Sequence, residues 1–192
     1  MNRTLLKNIY GHPELSLSDL NNICDAHKKT MYKKGDFLLK EGQIANEYLI
    51  LEKGLIRAFV HDFNGNDITT NFFSENEIVI EVSSLFQRMP TQENVKALTD
   101  CVCWNMDFEV FQELYHAIPI FNEWGRAWMA QSLFECKQRS VSMITDSATQ
   151  RYLQLLKEKL EVIQYAHLKQ IASYLGITDS SLSRIRKETA KL

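Results

Sequence analysis

The chain has 192 residues, 45% of them hydrophobic and 24% charged, which is enough apolar material for a folded core and excludes disorder over the whole length. No stretch free of Asp, Glu, Lys and Arg is longer than nine residues, against the ~20 that a membrane span needs, and the opening MNRTLLKNIYGHPEL has no signal-peptide apolar region; a cytoplasmic protein with no membrane partner is expected. The net charge of −2 hides an asymmetry: residues 151–192 carry eight basic and four acidic side chains, leaving 14 basic and 20 acidic before them, and a basic end on an acidic body suits a nucleic-acid contact confined to that end.

In chain order, residues 15–28 read as a short helix. Ser16 and Asp19 have capping-box spacing, and Leu17, Leu20 and Ile23 follow at helical spacing. From 35 to 106 short β-rich runs alternate with turn residues: DFLLK, EYLILEK, LIRAFVHD, NDITTNFF, ENVKAL and CVCWNM. Asn64-Gly65 between two of them is a hairpin signal, and strands at this spacing predict an antiparallel roll, barrel or sandwich. DFEVFQELYHAI (107–118) reads as a helix closing it.

Pro119 suits the first turn of the next helix, which runs without another Pro to about Ile144. Phe121, Trp124 and Trp128, with Ser132 continuing the line, form one stripe. Met129, Leu133, Cys136 and Ser140 lie on a neighbouring face. The aromatic stripe is expected to be the dimer interface, because exposed tryptophans would form an apolar patch needing a cover. TDSA (145–148) is the expected hinge. Thr145, Asp146 or Ser147 can cap the helix that follows, ATQRYLQLLKEKL.

Four cysteines (24, 101, 103 and 136) and five histidines (12, 27, 61, 116 and 167) show no ligand spacing, so no metal site is expected. Cys101 and Cys103 share one face of a strand and read as buried small hydrophobes; a redox pair is the alternative. A jelly-roll enzyme of the cupin kind needs a His/Glu metal set, and only His61 lies within the β-rich region. No enzyme and no catalytic residue are expected.

Residues 168–187, LKQIASYLGITDSSLSRIRK, have helix-turn-helix spacing. Ala172 is small for close helix packing, and Gly176 ends the first helix in a left-handed turn. Leu182 and Ile185 face inward with Leu168, Ile171 and Leu175. The outer face carries Ser180, Ser181, Ser183, Arg184, Arg186 and Lys187. With Thr178 at the helix N-terminus, these suit phosphate and guanine contacts, and Lys169 and Gln170 suit backbone contacts from the first helix. Asp179 can repel phosphate, accept from a cytosine or cap its helix; capping is expected.

Over residues ~15–190 the chain resembles the Crp/Fnr family of transcription regulators, on YKKGDFLLKEG, EYLILEKGLIRAF, FNGNDIT and the helix-turn-helix stretch; LKQIASYLGIT with LSRIRK is most similar to Bacteroidetes-type members. The resemblance implies an α+β fold. It comprises a cyclic-nucleotide-binding-like jelly roll (1–118), a long dimerisation helix (119–145) and a C-terminal helix-turn-helix domain (146–192). It implies a homodimer reading a palindromic site on double-stranded DNA, and leaves room for RNA polymerase as a further partner. Too few residues follow the motif here for the family's β-wing.

The family's pocket carries a Gly-Glu pair for the ribose and, about ten residues on, an Arg-Ser/Thr pair for the cyclic phosphate. In ENEIVIEVSSLFQRMPTQENVKAL, Glu81 takes the Glu position with Val82 after it. Ile80 replaces the Gly, Thr91 and Gln92 fall at the phosphate pair, and the nearest arginine, Arg88, lies in the preceding turn. Charged hydrogen bonds contribute ~1.5–3 kcal/mol each, so losing the arginine argues against cyclic AMP or GMP. No cofactor is predicted, and the effector, if any, is an unidentified small molecule. The rival reading is a small-molecule-binding or signalling module whose helix-turn-helix does not read DNA.

Overall fold

The computed structural model describes residues 3–190. Two short helices, α1 (Arg3–Tyr10) and α2 (Leu17–Asp25), precede eight strands: β1 (Lys28–Tyr32), β2 (Phe37–Leu39), β3 (Glu47–Lys53), β4 (Ile56–His61), β5 (Asp67–Phe73), β6 (Ile78–Val79), β7 (Asn94–Ala97) and β8 (Cys101–Asp107). Helix α3 (Val82–Gln87) interrupts the strands. Then follow α4 (Phe108–Ala117), the long α5 (Pro119–Thr145), α6 (Ala148–Glu158), α7 (Leu160–Tyr165), α8 (Leu168–Tyr174) and α9 (Asp179–Thr189).

The strands form two antiparallel sheets, ordered β1-β8-β3-β6 and β2-β7-β4-β5. Successive side chains on a strand point to opposite faces, and here both faces of each sheet are put to use. Leu49 and Leu51 of β3 meet Ile56 and Ala58 of β4 inside the roll, with Val79, Val95, Cys101 and Cys103. The alternate residues Tyr48 and Ile50, with Trp104 and Met106, face outward under α1, α2, α4 and the start of α5. On the second sheet, Leu55 and Phe72 face outward into the core of α6–α9, against Tyr152, Leu155, Ile171 and Leu175. The roll therefore lies between two helical layers.

Local signals explain most boundaries. Ser16 caps α2 by accepting the Asp19 N–H at 3.0 Å. Gly65, at φ +79°, turns the β4–β5 hairpin, where Asp62 Oδ1 accepts the Asn64 and Asn66 N–H groups. Pro119 occupies the first turn of α5. Ser147 is the cap of α6, in a reciprocal capping box with Gln150. Cys101 and Cys103 are buried in the roll, where desolvation raises both thiols, Cys103 to about 12; Cys136 is exposed.

The aromatic stripe of α5 is turned toward its own protomer, against the expectation. Phe121 is 1% exposed and packs on Tyr10, Phe111 and Trp124. Trp124 donates its indole N–H to the carbonyl of Ile9 at 2.8 Å, so α1 provides the cover expected of a partner. Trp128 and Ser132 are half-buried. The neighbouring face is the free one: Leu133 is 71% and Ile144 86% exposed, with Cys136 and Ser140 between them and Met129 one turn before Leu133 on the helix surface.

Candidate DNA-binding face and sensor pocket

Helices α8 and α9 meet through the turn read from the sequence. Gly176 has φ +66°; its N–H bonds the Ser173 carbonyl, and the Ile177 N–H bonds that of Ala172 at 3.0 Å, closing a Schellman motif. Ile171, Ala172, Leu175, Leu182 and Ile185 are buried together. Leu168, expected inside, is 39% exposed at the start of α8. The cap of α9 is Thr178, whose Oγ1 accepts the Ser181 N–H at 3.3 Å; Asp179 is the first helical residue and not the cap.

The expected DNA-contact residues divide by what already occupies them. Lys169, Ser180, Ser183, Arg184, Arg186 and Lys187 are exposed. Thr178 is exposed, but its hydroxyl lies 3.0 Å from those of Ser180 and Ser181, and Ser181 is half-buried. Gln170 is half-buried, its Oε1 accepting the His167 N–H at 3.0 Å. The outward face of α9 is thus positive and polar, while α8 is largely committed to packing.

That packing is against the roll. Thr69 of β5 receives Arg57 Nε at 2.8 Å and donates its hydroxyl to the Gln170 carbonyl at 3.0 Å; Ser173 Oγ accepts the Thr69 N–H at 3.2 Å. Arg57 is 2% exposed, stacked on Phe59, with Asp67 at 3.3 Å. Burial lowers its pKa, and Asp67 partly offsets this. Arg139 of α5 donates to the carbonyls of Thr70 and Tyr174, and Lys159 Nζ bonds the Phe72 carbonyl and Glu77. The contacts that cross from the roll to the C-terminal helices join residues ~70–100 apart in the chain and leave no local pattern in the sequence.

The roll opens into a cavity of about 490 Å³. Of the four residues expected to bind a ligand, the structure brings only Glu81 to it. Glu81 caps α3, accepting the Ser84 N–H at 2.7 Å and the Ser83 hydroxyl at 2.5 Å. Val82 is 44% exposed and Gln92 is exposed. Thr91 is buried, its hydroxyl accepting the Glu93 N–H and its backbone paired with Gly42 and Gln43. Gln43, Asn46 and Glu47, which carry no motif in the sequence, line the cavity instead. They come from the β2–β3 turn and the start of β3, distant in sequence from the 80–92 segment. Among the described residues no group of His, Cys, Asp and Glu is placed to hold a metal, and no helix is long and apolar enough to cross a membrane.

Comparison with known proteins agrees with this geometry. Residues 29–117, from β1 to the end of α4, match the family model described as the cyclic nucleotide-binding domain. Along the chain, a c-di-GMP-responsive global regulator, CLP of Xanthomonas campestris, superposes with a TM-score of 0.70 at 14% identity, covering 92% of each chain. A candidate transcriptional regulator of the crp/fnr family from Eubacterium rectale superposes at 0.71 and 16% identity, covering 95% of this chain and 88% of that one.

Over nearly its whole length the chain shares the fold of these proteins. The catabolite activator protein of Thermus thermophilus shares it at a TM-score of 0.59 and 16% identity, covering 97% of this chain and 87% of that one. Curated relatives include a cGMP-dependent protein kinase of Plasmodium berghei, 20% identical over 164 residues, and a cAMP-dependent protein kinase type II regulatory subunit of Drosophila melanogaster, 24% identical over 109. This chain spans 19% and 27% of their lengths, so the Crp/Fnr-type likeness rests on the full-chain structural matches to regulators.

Proposed function

We propose that the protein is a homodimeric, DNA-binding transcription regulator of the Crp/Fnr type. A sensor domain (1–118) is carried on a dimerisation helix (119–145) that ends in a DNA-binding domain (146–192). The observation that carries the reading is the outward face of α9, where Ser180, Ser183, Arg184, Arg186 and Lys187 stand exposed on a helix whose other side is anchored by Leu182 and Ile185. A helix so presented enters a major groove, and arginine is the side chain that pairs bidentately with guanine N7 and O6. Two copies related by a two-fold axis read half-sites about one DNA turn apart, ~34 Å. The lining of the roll's cavity, which has no arginine among the described residues, argues against cyclic AMP and cyclic GMP as effectors.

Selection of genomic fragments with the purified protein, then titration of the best fragment at several salt concentrations, tests the reading. A two-fold-symmetric site is expected. Six phosphate contacts give a log–log salt slope near −5. The Arg184→Ala/Arg186→Ala double variant should lose the sequence preference. Weak binding without preference, in wild type and double variant alike, would favour a signalling module whose helix-turn-helix does not read DNA.

A further inference from the structure

The cavity of the roll has a polarity opposite to that of a phosphate site. Leu49 and Val95 belong to its apolar floor, while Gln43, Asn46, Glu47 and Glu81 make its polar side. Two carboxylates face this space, and among the described residues no Lys, Arg or His lines it. Both are held in place. Glu81 is fixed by Ser83 and Ser84. Glu47 Oε1 accepts from Asn105 Nδ2 at 2.8 Å; Asn105 is 6% exposed and anchored in turn on the Tyr32 hydroxyl at 3.2 Å. The second oxygen of Glu47 has no hydrogen-bond donor among the described residues, so it is open to a ligand. The one arginine near the mouth, Arg88, directs its donors to the cavity wall from behind. It donates to the Ala45 carbonyl and to Asn46 Oδ1, both at 2.6 Å, and its guanidinium lies 5.0 Å over the Phe108 ring.

Resting on the reading of the roll as a sensor, we propose that this cavity takes a small amphipathic ammonium compound, with its apolar body on the floor and its charged head against Glu47 and Glu81. Sites of ~300–1,000 Å³ hold small molecules, and this volume lies in that range. An ammonium gains charge-assisted hydrogen bonds from carboxylates already in position. A phosphate or carboxylate head would meet two like charges in a partly desolvated space with no cation to answer it.

Calorimetric titration of the full chain with 4-phenylbutylamine, 4-phenylbutanol and 4-phenylbutyrate tests this, since the three probes share a body and differ in head charge. The amine is expected to bind at least tenfold more tightly than the alcohol, and the carboxylate to give no binding heat. Glu47→Gln keeps an acceptor for Asn105, so the fold is retained. It should weaken the amine at least tenfold and leave the alcohol unchanged. Equal affinity for all three probes, tighter binding of the carboxylate, no binding of the amine, or no effect of Glu47→Gln would overturn the proposal. Cyclic AMP binding that is lost in Arg88→Ala would also overturn it, by showing the arginine swung into the cavity. Failure of the sensor reading looks different: the amine binds as described, but the affinity for the selected DNA fragment does not change.

Discussion

The hydroxyls of Thr69 on β5 and Ser173 on α8 lie 2.9 Å apart, which ties the first helix of the helix-turn-helix to the outer face of the roll. Thr69 is 2% exposed and also accepts the Arg57 Nε–H, so one side chain joins a buried guanidinium to the α8–α9 unit. Thr69→Val removes the acceptor of a buried charged donor and should cost about 1.5–3 kcal/mol in urea unfolding; Ser173→Ala should cost about 1 kcal/mol. Because the two groups share a network, the double variant should show a coupling of at least about 0.5 kcal/mol. Strict additivity would mean that the contact does not hold the two units together in solution.

The turn between α8 and α9 offers a second test. Gly176 has φ +66°, and a Cβ there would stand 2.5 Å from Met143 Cε of α5. Gly176→Ala therefore meets both a left-handed backbone, costing about 1–2 kcal/mol, and a clash. Thermal unfolding should fall by several degrees. Adding Met143→Ala should recover the steric part and leave the backbone part. Full recovery in the double variant would show that the left-handed conformation is not required.

What the sequence revealed and what it hid follow one rule. Signals within a few residues, such as Ser16 with Asp19, Pro119, the Thr145–Ser147 stretch, and Ala172 with Gly176, predict the caps, the long helix and the helix-turn-helix. β1 escaped because KKTMY is charged and takes its pairing from β8, some seventy residues away. The α5 stripe looks uncovered in the sequence because its cover, α1, lies more than a hundred residues away. Only Glu81 of the expected pocket was found, since Gln43, Asn46 and Glu47 reach the cavity through the fold of the roll and carry no motif. The docking of α8 on Thr69 leaves no local trace at all.

His27 makes stability depend on pH. It is 5% exposed; its Nδ1–H donates to the Ile23 carbonyl at 2.9 Å, and Nε2 accepts from the Tyr10 hydroxyl, which accepts in turn from Tyr48. Burial lowers its pKa from 6.5 to about 4, against the smaller opposing effect of its backbone hydrogen bonds. The unfolded chain therefore binds the proton first. This contribution is present in full above about pH 6.5 and is lost as pH falls toward 4, amounting to about 3 kcal/mol. Urea unfolding at pH 7, 5.5 and 4.5 should show the decline, and His27→Gln should flatten it. An unchanged slope in His27→Gln would assign the acid sensitivity to other groups.

The two faces of α5 make opposite predictions for the proposed dimer. Leu133 is 71% exposed on the face that Met129, Cys136 and Ile144 continue, whereas Phe121 is enclosed by Tyr10, Phe111 and Trp124. Leu133→Asp should leave the monomer fold and its unfolding midpoint nearly unchanged, because the side chain has little to lose within its own protomer. Placed at a helix–helix seam, the same carboxylate would be desolvated opposite its symmetry mate, and sedimentation should show a shift from dimer to monomer. Phe121→Ala should instead cost about 3–5 kcal/mol of fold stability, through the cavity it leaves among the aromatic rings. A Leu133→Asp protein that still sediments as a dimer would move the interface off this face of α5. Monomers from Leu133→Asp, together with destabilisation from Phe121→Ala, would assign association to the exposed face and the roll's support to the aromatic one.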